Sequence, residues 1–298
     1  MRTVLVSAAL LSLWSSSAFA WGSIGHSVVA EIAQRNLTST AAAVVSNLLG
    51  TNVSMPSVSS WADDFKFTPE GAKTKRWHYV DIDVSSNDQV FNEQCNLTAQ
   101  GDCLPYALKR EITILESKQL SVTVRAEALK FAIHLVGDLF QPLHCTERDN
   151  DGRGNGLMVD LVGNGADGNP LLTYDKKPMH QTQSFHALWD DVLIGDHTYD
   201  FGNYVDELEA SVVPVVASAA SATASKQNTH MLDLSQIDDW VIDCHKVGVR
   251  VYQLLPSKPE PIPLDAKYQD DMQPIIDKQL ATAGLYLANV LNLILPTS

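Results

Sequence analysis

Two pairs of histidine and aspartate are the residues of this sequence best suited to binding a metal ion. His134 and Asp138 lie four residues apart in an apolar run, and His186 and Asp190 repeat that spacing. Side chains four residues apart project from the same side of a helix, so each pair can act as a clamp on one ion. An imidazole with a carboxylate suits zinc. For the first pair alone, a core histidine hydrogen-bonded to a nearby aspartate is the alternative.

The segment around His134 is apolar on every side of the predicted helix, which indicates that the helix is buried. Burying an ionised carboxylate without a partner is very costly, so Asp138 needs a cation or a hydrogen-bonded partner. Pro142 cannot continue the helix and places His144 just beyond its end. Ligands from several segments imply more than one ion, and clustered metal ions favour displacement at phosphorus.

The first 20 residues have the pattern of a secretory signal peptide. Arg2 precedes an apolar stretch from Val4 to Trp14, and Ala18-Phe19-Ala20 is a small-x-small cleavage signal. The apolar stretch is too short to span a membrane, and the closing segment 284–295 is predicted to be a packed helix. We therefore expect a secreted, soluble protein that begins at Trp21.

The remaining residues, 21–298, show no Gly/Ser-rich linker and no repeat, so we expect one domain. The formal net charge is −14, which argues against a protein that holds long duplex nucleic acid by its phosphates. Periodicity predicts a mainly α protein with at most a small β-hairpin. Helices are expected over 28–34, 39–49, 61–66, 104–118, 122–140, 184–190, 201–224, 237–255 and 265–295, the last interrupted at Pro274, with extended segments at 77–83 and 157–162.

Four cysteines, Cys95, Cys103, Cys145 and Cys244, allow three different pairings, and the sequence does not choose among them. Cys95 with Cys103 would close a short loop and is the first expectation. Glycosylation sequons begin at Asn36, Asn52 and Asn96.

Several motifs in combination resemble the secreted, zinc-dependent, single-strand-specific nucleases and 3′-nucleotidases of fungi and plants (type I nucleases). The motifs are Trp21-x4-His26, Trp61-Ala-Asp63, His78-Tyr-Val-Asp81, His134-x3-Asp138-x2-Gln-Pro-Leu-His144 and His186-x3-Asp190. The resemblance runs from Trp21 to about Asp190 and weakens toward the end of the chain. It implies a mainly α, single-domain fold shared with bacterial phospholipase C, with a small β-hairpin, and three zinc ions.

The resemblance also implies which residues bind each ion. The first zinc would be held by Asp63, His78, His134 and Asp138, and the second by His144, His186 and Asp190. The third would be held by His26, by the bridging Asp138, and by the amino nitrogen and carbonyl oxygen of Trp21. Cleavage after Ala20 creates that α-amine, which loses its proton readily beside a cation.

The roles of the substrate-contacting residues are likewise implied by the resemblance. Asp63 would orient a water shared by the first and third zincs, while the second zinc would stabilise the departing 3′ oxygen and leave 5′-phosphate products. Lys66, one turn from Asp63, would supply positive charge to the phosphate. Tyr79 would stack on a base, Asp81 would accept from the base edge, and Asn155 would lie in a loop near the nucleotide. A surface Lys66 and a core Tyr79 are the alternatives.

The expected activity is hydrolysis of single-stranded DNA and RNA, and of 3′-mononucleotides, by a monomer without a membrane or obligate protein partner. A zinc-dependent phospholipase C and a non-catalytic extracellular zinc-binding effector are the competing hypotheses. The sequence departs from the family pattern in three places. Ser184-Phe185 precedes His186 where the family has Asn-Leu, and 163–182 is longer and is expected to border the pocket. Cys145 and Cys244 lie at unusual positions, and their pairing with each other is a further expectation.

Overall fold

The computed structural model of the protein describes residues 21–86, 95, 102–162, 180–195, 201–224 and 233–295. The predicted signal peptide, most of the 163–182 segment and the sequon at Asn96 lie outside these residues. Within the described part of the chain, no helix combines the length and the apolar character needed to cross a membrane.

The described part of the chain is mainly α-helical, as predicted. Short 3₁₀ segments cover Ala72–His78 and Pro142–Cys145, and a π-helical segment covers Leu188–Val192. The α-helices are α1 (Ser23–Arg35), α2 (Ser39–Leu49), α3 (Met55–Val58), α4 (Trp61–Phe65), α5 (Leu104–Glu116), α6 (Val122–Leu139), α7 (Phe185–Ala187), α8 (Leu193–Gly195), α9 (Phe201–Ser211), α10 (Val213–Ala224), α11 (Gln236–Gln253) and α12 (Ala266–Ile294).

Local capping explains where the helices that carry or flank the predicted ligands begin and end. The Thr38 side chain accepts a hydrogen bond from the amide of Ala41 at the start of α2. Ser121 caps α6 in the same way through the amide of Val124. Pro142 follows the end of α6, so the chain turns into the 3₁₀ segment that carries His144.

The predicted hairpin is present and gains a third strand. Strand β1 (Met158–Val162) pairs antiparallel with β2 (His180–Ser184), with Asp160 opposite Thr182. Strand β3 (Ile262–Leu264) adds to β1 in parallel. The β2 strand leads directly into α7, so the sheet sets the position from which the helix bearing His186 begins.

Two sequence predictions of local structure are wrong. The 77–83 segment was expected to be extended, but a 3₁₀ helix continues to His78 and the backbone becomes extended only at Tyr79. Trp77 and His78 are both buried, so alternation of apolar and polar residues does not describe burial here. Pro274 does not interrupt α12. Proline has no amide hydrogen to donate to the Asp270 carbonyl one turn earlier, but Asp270 is exposed, so this carbonyl can bond to water instead.

Helix α6 lies at the centre of the molecule and packs against α1, α2, α4, α5 and α12. Every residue of this helix from Phe131 to Leu139 is buried, as the apolar run predicts. The disulfide expected between Cys95 and Cys103 is present, with a Cα–Cα distance of 5.2 Å. It joins the described residue before α5 to the N-cap of that helix.

Helices α1 and α12 approach closely at Gly284. A Cβ atom placed there would lie 2.6 Å from both Cβ and Cγ2 of Ile32 and 3.1 Å from the Val29 carbonyl oxygen. Real Cβ atoms do not approach neighbours so closely, and a β-branched side chain next to backbone has little freedom to move. The glycine therefore sets the distance at which α12 supports α1, the helix that carries His26.

We expect Gly284→Ala to lower the free energy of unfolding by about 1–3 kcal/mol, because the added methyl group overpacks the α1–α12 contact. Urea denaturation monitored by circular dichroism measures the change. Gly202→Ala on α9 is the control, since nothing lies within 4 Å of the added methyl group and alanine favours a helix by up to about 1 kcal/mol. Equal stability of Gly284→Ala and the wild type would show that the helices can separate freely.

Candidate metal centre

The histidines and aspartates predicted to bind metal converge in the structure, although they come from six separate segments. All eight side chains are at most 4% exposed. They are His26 on α1, Asp63 on α4, His78 at the end of a 3₁₀ helix, His134 and Asp138 on α6, His144 on the second 3₁₀ helix, His186 on α7 and Asp190 on the π-helical segment. The two residues of each predicted pair are in contact. His134 Nε2 lies 3.3 Å from Asp138 Oδ2, and His186 Nε2 lies 3.2 Å from Asp190 Oδ2.

These side chains form three groups in which one ligand atom of each residue lies within 4.8 Å of the others. The groups are His26 with His134 and Asp138, Asp63 with His78 and His134, and His144 with His186 and Asp190. The first two share His134, and Asp138 lies against both, since its Oδ2 is 3.0 Å from His78 Nδ1. The resemblance assigns His134 to the first zinc alone, whereas in the structure this histidine lies in both of the first two groups.

Main-chain carbonyl oxygens orient three of the histidine rings. The Nδ1 atoms of His134, His144 and His186 lie 2.8, 2.7 and 2.7 Å from the carbonyl oxygens of Ser59, His78 and Arg153 respectively. A carbonyl oxygen can only accept, so each Nδ1 carries the proton. When such a ring is neutral, its lone pair is on Nε2, and this is the arrangement in which protein histidines commonly bind metal ions.

The electrostatics around Asp138 show a carboxylate held by surrounding imidazoles. Oδ1 of Asp138 lies 3.4 Å from His26 Nε2, and its Oδ2 lies 3.3 Å from His134 Nε2. Burial alone would lower the pKa of His134, but the carboxylates of Asp138 and Asp63 outweigh it and raise that pKa to about 10. Burial opposes ionisation of Asp138, yet His134 and the neighbouring imidazoles hold its pKa well below its usual range.

Buried polar atoms without a hydrogen-bond partner show that the centre fits a cation. Buried nitrogen and oxygen atoms are nearly always satisfied, so a cluster of orphans calls for an explanation. At this centre the orphans are Nδ1 and Nε2 of His26, Nε2 of His78, both carboxylate oxygens of Asp138, Nε2 of His144 and Oδ2 of Asp190. These atoms are lone-pair donors of types that coordinate zinc, and divalent ions in their midst would satisfy them.

Gln141, whose role sequence reasoning missed, supports the third group by a hydrogen bond to Asp190. The Gln141 side chain donates from Nε2 to Asp190 Oδ1 at 2.5 Å and accepts from the amide of Leu143 at 2.6 Å. This glutamine therefore links the turn before His144 to the carboxylate of Asp190. Burial raises the pKa of Asp190 well above its usual value and lowers that of His144 to about 4, so the imidazole is neutral and available as a ligand.

Gly137 is a second residue that sequence reasoning missed, although it stands within the motif between His134 and Asp138. A Cβ atom at this position would lie 2.6 Å from Nδ1 and 2.9 Å from Cε1 of His26. The His26 ring is also stacked on His134, with 4.0 Å between the ring centroids, so it cannot move aside. The absence of a side chain at Gly137 therefore lets α1 bring its histidine onto α6.

Trp21 is buried beside the third group. The side chain has no exposed area, and the amide of the following Gly22 donates to the carbonyl oxygen of Asp190 at 2.7 Å. A Cβ atom at Gly22 would lie 1.7 Å from Oδ1 of Asp191, so glycine is required for this approach. The start of the described chain is thus tied to the segment that carries Asp190.

A recess of about 250 Å³ opens onto the centre. Lys66, Phe67, Lys75, His78, Tyr79, His144, Arg153 and His186 line it. Lys66 is buried, and its Nζ lies 2.5 Å from Oδ1 of Asp63, so the expected surface alternative for this lysine is wrong. The ammonium group therefore stands at the junction of the recess and the Asp63 group.

The three predicted base-contacting residues lie near the recess but already have partners. The Arg153 guanidinium stacks on the half-buried ring of Tyr79, and it forms an ion pair with Asp81. Asn155 donates its side-chain amide to the carbonyl oxygen of Gly152 at 2.7 Å. Arg153 is a further residue that sequence reasoning missed. The one signal in the sequence was its position directly before Gly154-Asn155, the loop predicted to lie near the nucleotide.

The expected disulfide between Cys145 and Cys244 is absent, so that prediction is wrong. Both residues are buried free thiols, and the Cys145 thiol donates to the main-chain carbonyl of Leu139 at 3.8 Å. The Cys244 thiol also donates to the main-chain carbonyl of Gln141 at 3.4 Å, and burial raises the pKa of this thiol well above its usual value. The pair therefore acts as a small buried contact between α11 and the 3₁₀ segment that carries His144.

We expect Gly137→Ala to weaken binding of a metal ion at the group of His26, His134 and Asp138, because the added methyl group displaces the His26 ring. Zinc per chain, measured by elemental analysis after dialysis against low zinc, should fall by about one ion, since shifting a supporting contact commonly costs 10–100-fold in metal affinity. Gly202→Ala should retain the wild-type content. A full complement in Gly137→Ala would show that the ring has room to move.

Comparison with known proteins agrees with this geometry. Residues 21–296 match the family model described as S1/P1 Nuclease. The chain is 27% identical to Nuclease S1 of Aspergillus oryzae, with 98% of both chains covered. It is 25% identical to Nuclease P1 of Penicillium citrinum, covering 91% of this chain and 97% of that protein. Endonuclease 2 of Arabidopsis thaliana is 26% identical over 91% of this chain and 89% of its own. The resemblance found in the motifs is thereby confirmed, and the chain belongs to the S1/P1 nuclease family.

Proposed function

We propose that the protein is a secreted phosphodiesterase that uses three zinc ions to hydrolyse single-stranded DNA and RNA, with 5′-phosphate products, and that it also acts on 3′-mononucleotides. One observation carries the proposal. Three groups of buried histidine and aspartate side chains, several of their ligand atoms without partners, lie together beside a recess that contains a lysine. Membership in a nuclease family supplies the class of reaction.

The ligands proposed for the ions follow the three groups. Asp63, His78, His134 and Asp138 would hold the first zinc, and His144, His186 and Asp190 the second. His26 and Asp138 would hold the third together with the main-chain nitrogen and carbonyl oxygen of Trp21. All are nitrogen or oxygen ligands without a thiolate, a set that zinc accepts and that suits catalysis more than a structural cysteine site.

Zinc ions bound at these groups would supply Lewis acidity and a nucleophile at neutral pH. The chain's own residues then position the reaction. The carboxylate of Asp63 accepts a hydrogen bond from Lys66 and would accept another from the attacking water. The ammonium group of Lys66 faces the recess, where it would contact a phosphate oxygen as negative charge develops. Gln141 holds Oδ1 of the Asp190 carboxylate, while Oδ2 lies 3.2 Å from His186 Nε2 in the same group.

The shape of the recess supports a preference for single strands. Three of the proposed ligands, His78, His144 and His186, line a recess of about 250 Å³, which has room for a phosphate and its sugar. A base-paired duplex is a broad rigid rod and would not bring its backbone into a recess of that size, whereas an unpaired strand can bend into it. The acidic surface agrees, since no long basic face is needed when the contacts are concentrated in one recess.

Secretion is proposed on three grounds. The family match begins at Trp21, the residue that cleavage after Ala20 would expose as the mature terminus. The Cys95–Cys103 disulfide belongs in an oxidising compartment. The Asn52 sequon is exposed and available for a glycan, whereas the Asn36 amide donates to Ile32 and Glu209 and is the poorer candidate.

We expect about three zinc ions per chain and hydrolysis of denatured DNA much faster than of the same duplex, with both the metal and the activity removed by a chelator. Elemental analysis and release of acid-soluble nucleotides measure these quantities, and phosphatidylcholine serves as the control substrate. Fewer than two zinc ions, or activity that survives the chelator, would contradict the proposal. Cleavage of phosphatidylcholine alone would favour the phospholipase alternative, and inertness of the zinc-loaded protein on both would favour the effector.

We expect Asp138→Asn to reduce both zinc content and hydrolysis, the latter by at least about 100-fold, because the neutral amide cannot bridge two cations. Elemental analysis and initial rates on denatured DNA measure the two effects. Asp239→Asn, at an exposed position on α11, removes the same charge far from the ligands and should behave as the wild type. Near-normal turnover in Asp138→Asn would show that Asp138 does not bridge two metal ions.

A further inference from the structure

The aromatic face predicted to receive a nucleobase is covered by an arginine of the same chain. The guanidinium carbon of Arg153 lies 3.5 Å from the centroid of the Tyr79 ring. A planar group at that distance is in stacking contact, so a base cannot occupy the same face while the arginine is there. Arg76 lies farther off, 5.2 Å from the same centroid.

The predicted acceptor for the base edge is engaged by the same two arginines. Asp81 forms an ion pair with Arg153 Nη1, and its Oδ2 lies 3.4 Å from Arg76 Nη2. The side chains of Asp81 and Arg153 are each 17% exposed, so the pair is shielded from much of the solvent. Releasing Asp81 for a base would leave a half-buried arginine without its partner, and such a release is costly.

The backbone at Arg153 separates the role of its main chain from that of its side chain. Arg153 has a φ of +64°, in the left-handed region that favours glycine. Its carbonyl oxygen accepts from His186 Nδ1, so the main chain orients a proposed zinc ligand. Neither property needs a guanidinium group, and a non-glycine residue is strained here. The contacts with Tyr79 and Asp81 are therefore what the arginine side chain contributes.

We propose that Arg153 is a specificity-determining residue that closes the base site, so that the recess recognises the sugar–phosphate backbone and is indifferent to the base. This inference rests on the proposed phosphodiesterase function and deepens it. The substrate class then includes phosphate esters that lack a base, such as abasic nucleotides and sugar phosphates. Two lysines, Lys66 and Lys75, line the same recess and supply the charge for phosphate contacts.

The test compares substrates and ligands that differ only by a base. Turnover is measured on the dinucleotide TpT and on analogues in which one thymine or the other is replaced by hydrogen. Binding of adenosine 5′-phosphate and ribose 5-phosphate to the zinc-loaded protein is measured by calorimetry, a readout that does not depend on turnover. The wild type should treat the members of each pair alike, within about threefold, because no base–aromatic stack forms.

Arg153→Gly is the informative variant, because glycine suits the backbone and leaves the carbonyl contact with His186 in place. It should prefer the base-containing member of each pair by at least about tenfold, as one base–aromatic stack provides. Tyr79→Ala should abolish that preference in the Arg153→Gly background. Arg148→Gly removes a nearby arginine that lies over Tyr252, outside the recess, and should match the wild type.

Two outcomes would overturn the inference. One is a wild-type preference for the base of tenfold or more, which would mean that the base displaces Arg153 or stacks on it. The other is an Arg153→Gly variant as indifferent as the wild type. If no phosphodiester is hydrolysed, the proposed function fails, while the two binding ratios still decide the role of Arg153.

Discussion

The structure depends on the burial of one carboxylate, that of Asp138, at the centre of the molecule. An ionised group without solvent is stable only when opposite charge or hydrogen-bond donors surround it. Here His134 lies one turn away on the same helix, and two other elements bring His26 and His78 to the carboxylate. The helices that pack around α6 therefore position these imidazoles as well as covering an apolar surface.

The main chain contributes to the centre as much as the ligands do. Carbonyl oxygens from Ser59, His78 and Arg153 select the protonated nitrogen of three histidine rings. Each carbonyl belongs to an irregular segment or the end of a short helix, where it is not used up by the helical ladder. Loops and 3₁₀ turns thus have a specific task here, since carbonyl oxygens inside a regular helix already accept from the helix's own amides.

Electrostatic balance differs between the surface and the recess. The whole chain is acidic, yet Lys66, Lys75 and Arg153 line the opening to the centre. Negative charge elsewhere disfavours indiscriminate binding of nucleic acid, whereas local cations attract a phosphate that can enter the recess. Arg153 shows how one side chain can alter this balance, because it neutralises Asp81 and covers Tyr79 together.

Much of the fold and most of the predicted centre can be read from the sequence, because they depend on local spacing. The pairs His134–Asp138 and His186–Asp190, the buried run of α6 and its end before Pro142 follow from helical periodicity and proline geometry. The remaining features arise from approaches between distant segments. His144 meets the His78 carbonyl across 66 residues, and Arg153 reaches Asp81 across 72.

Only the tertiary structure could decide such contacts, since each depends on how closely two helices or loops approach. The need for glycine at position 137 exists only because α1 places His26 there. The thiols of Cys145 and Cys244 lie together without bonding, although a disulfide was predicted. Local pattern determines which residues share a helix face, whereas distances between elements are set by packing of the whole chain.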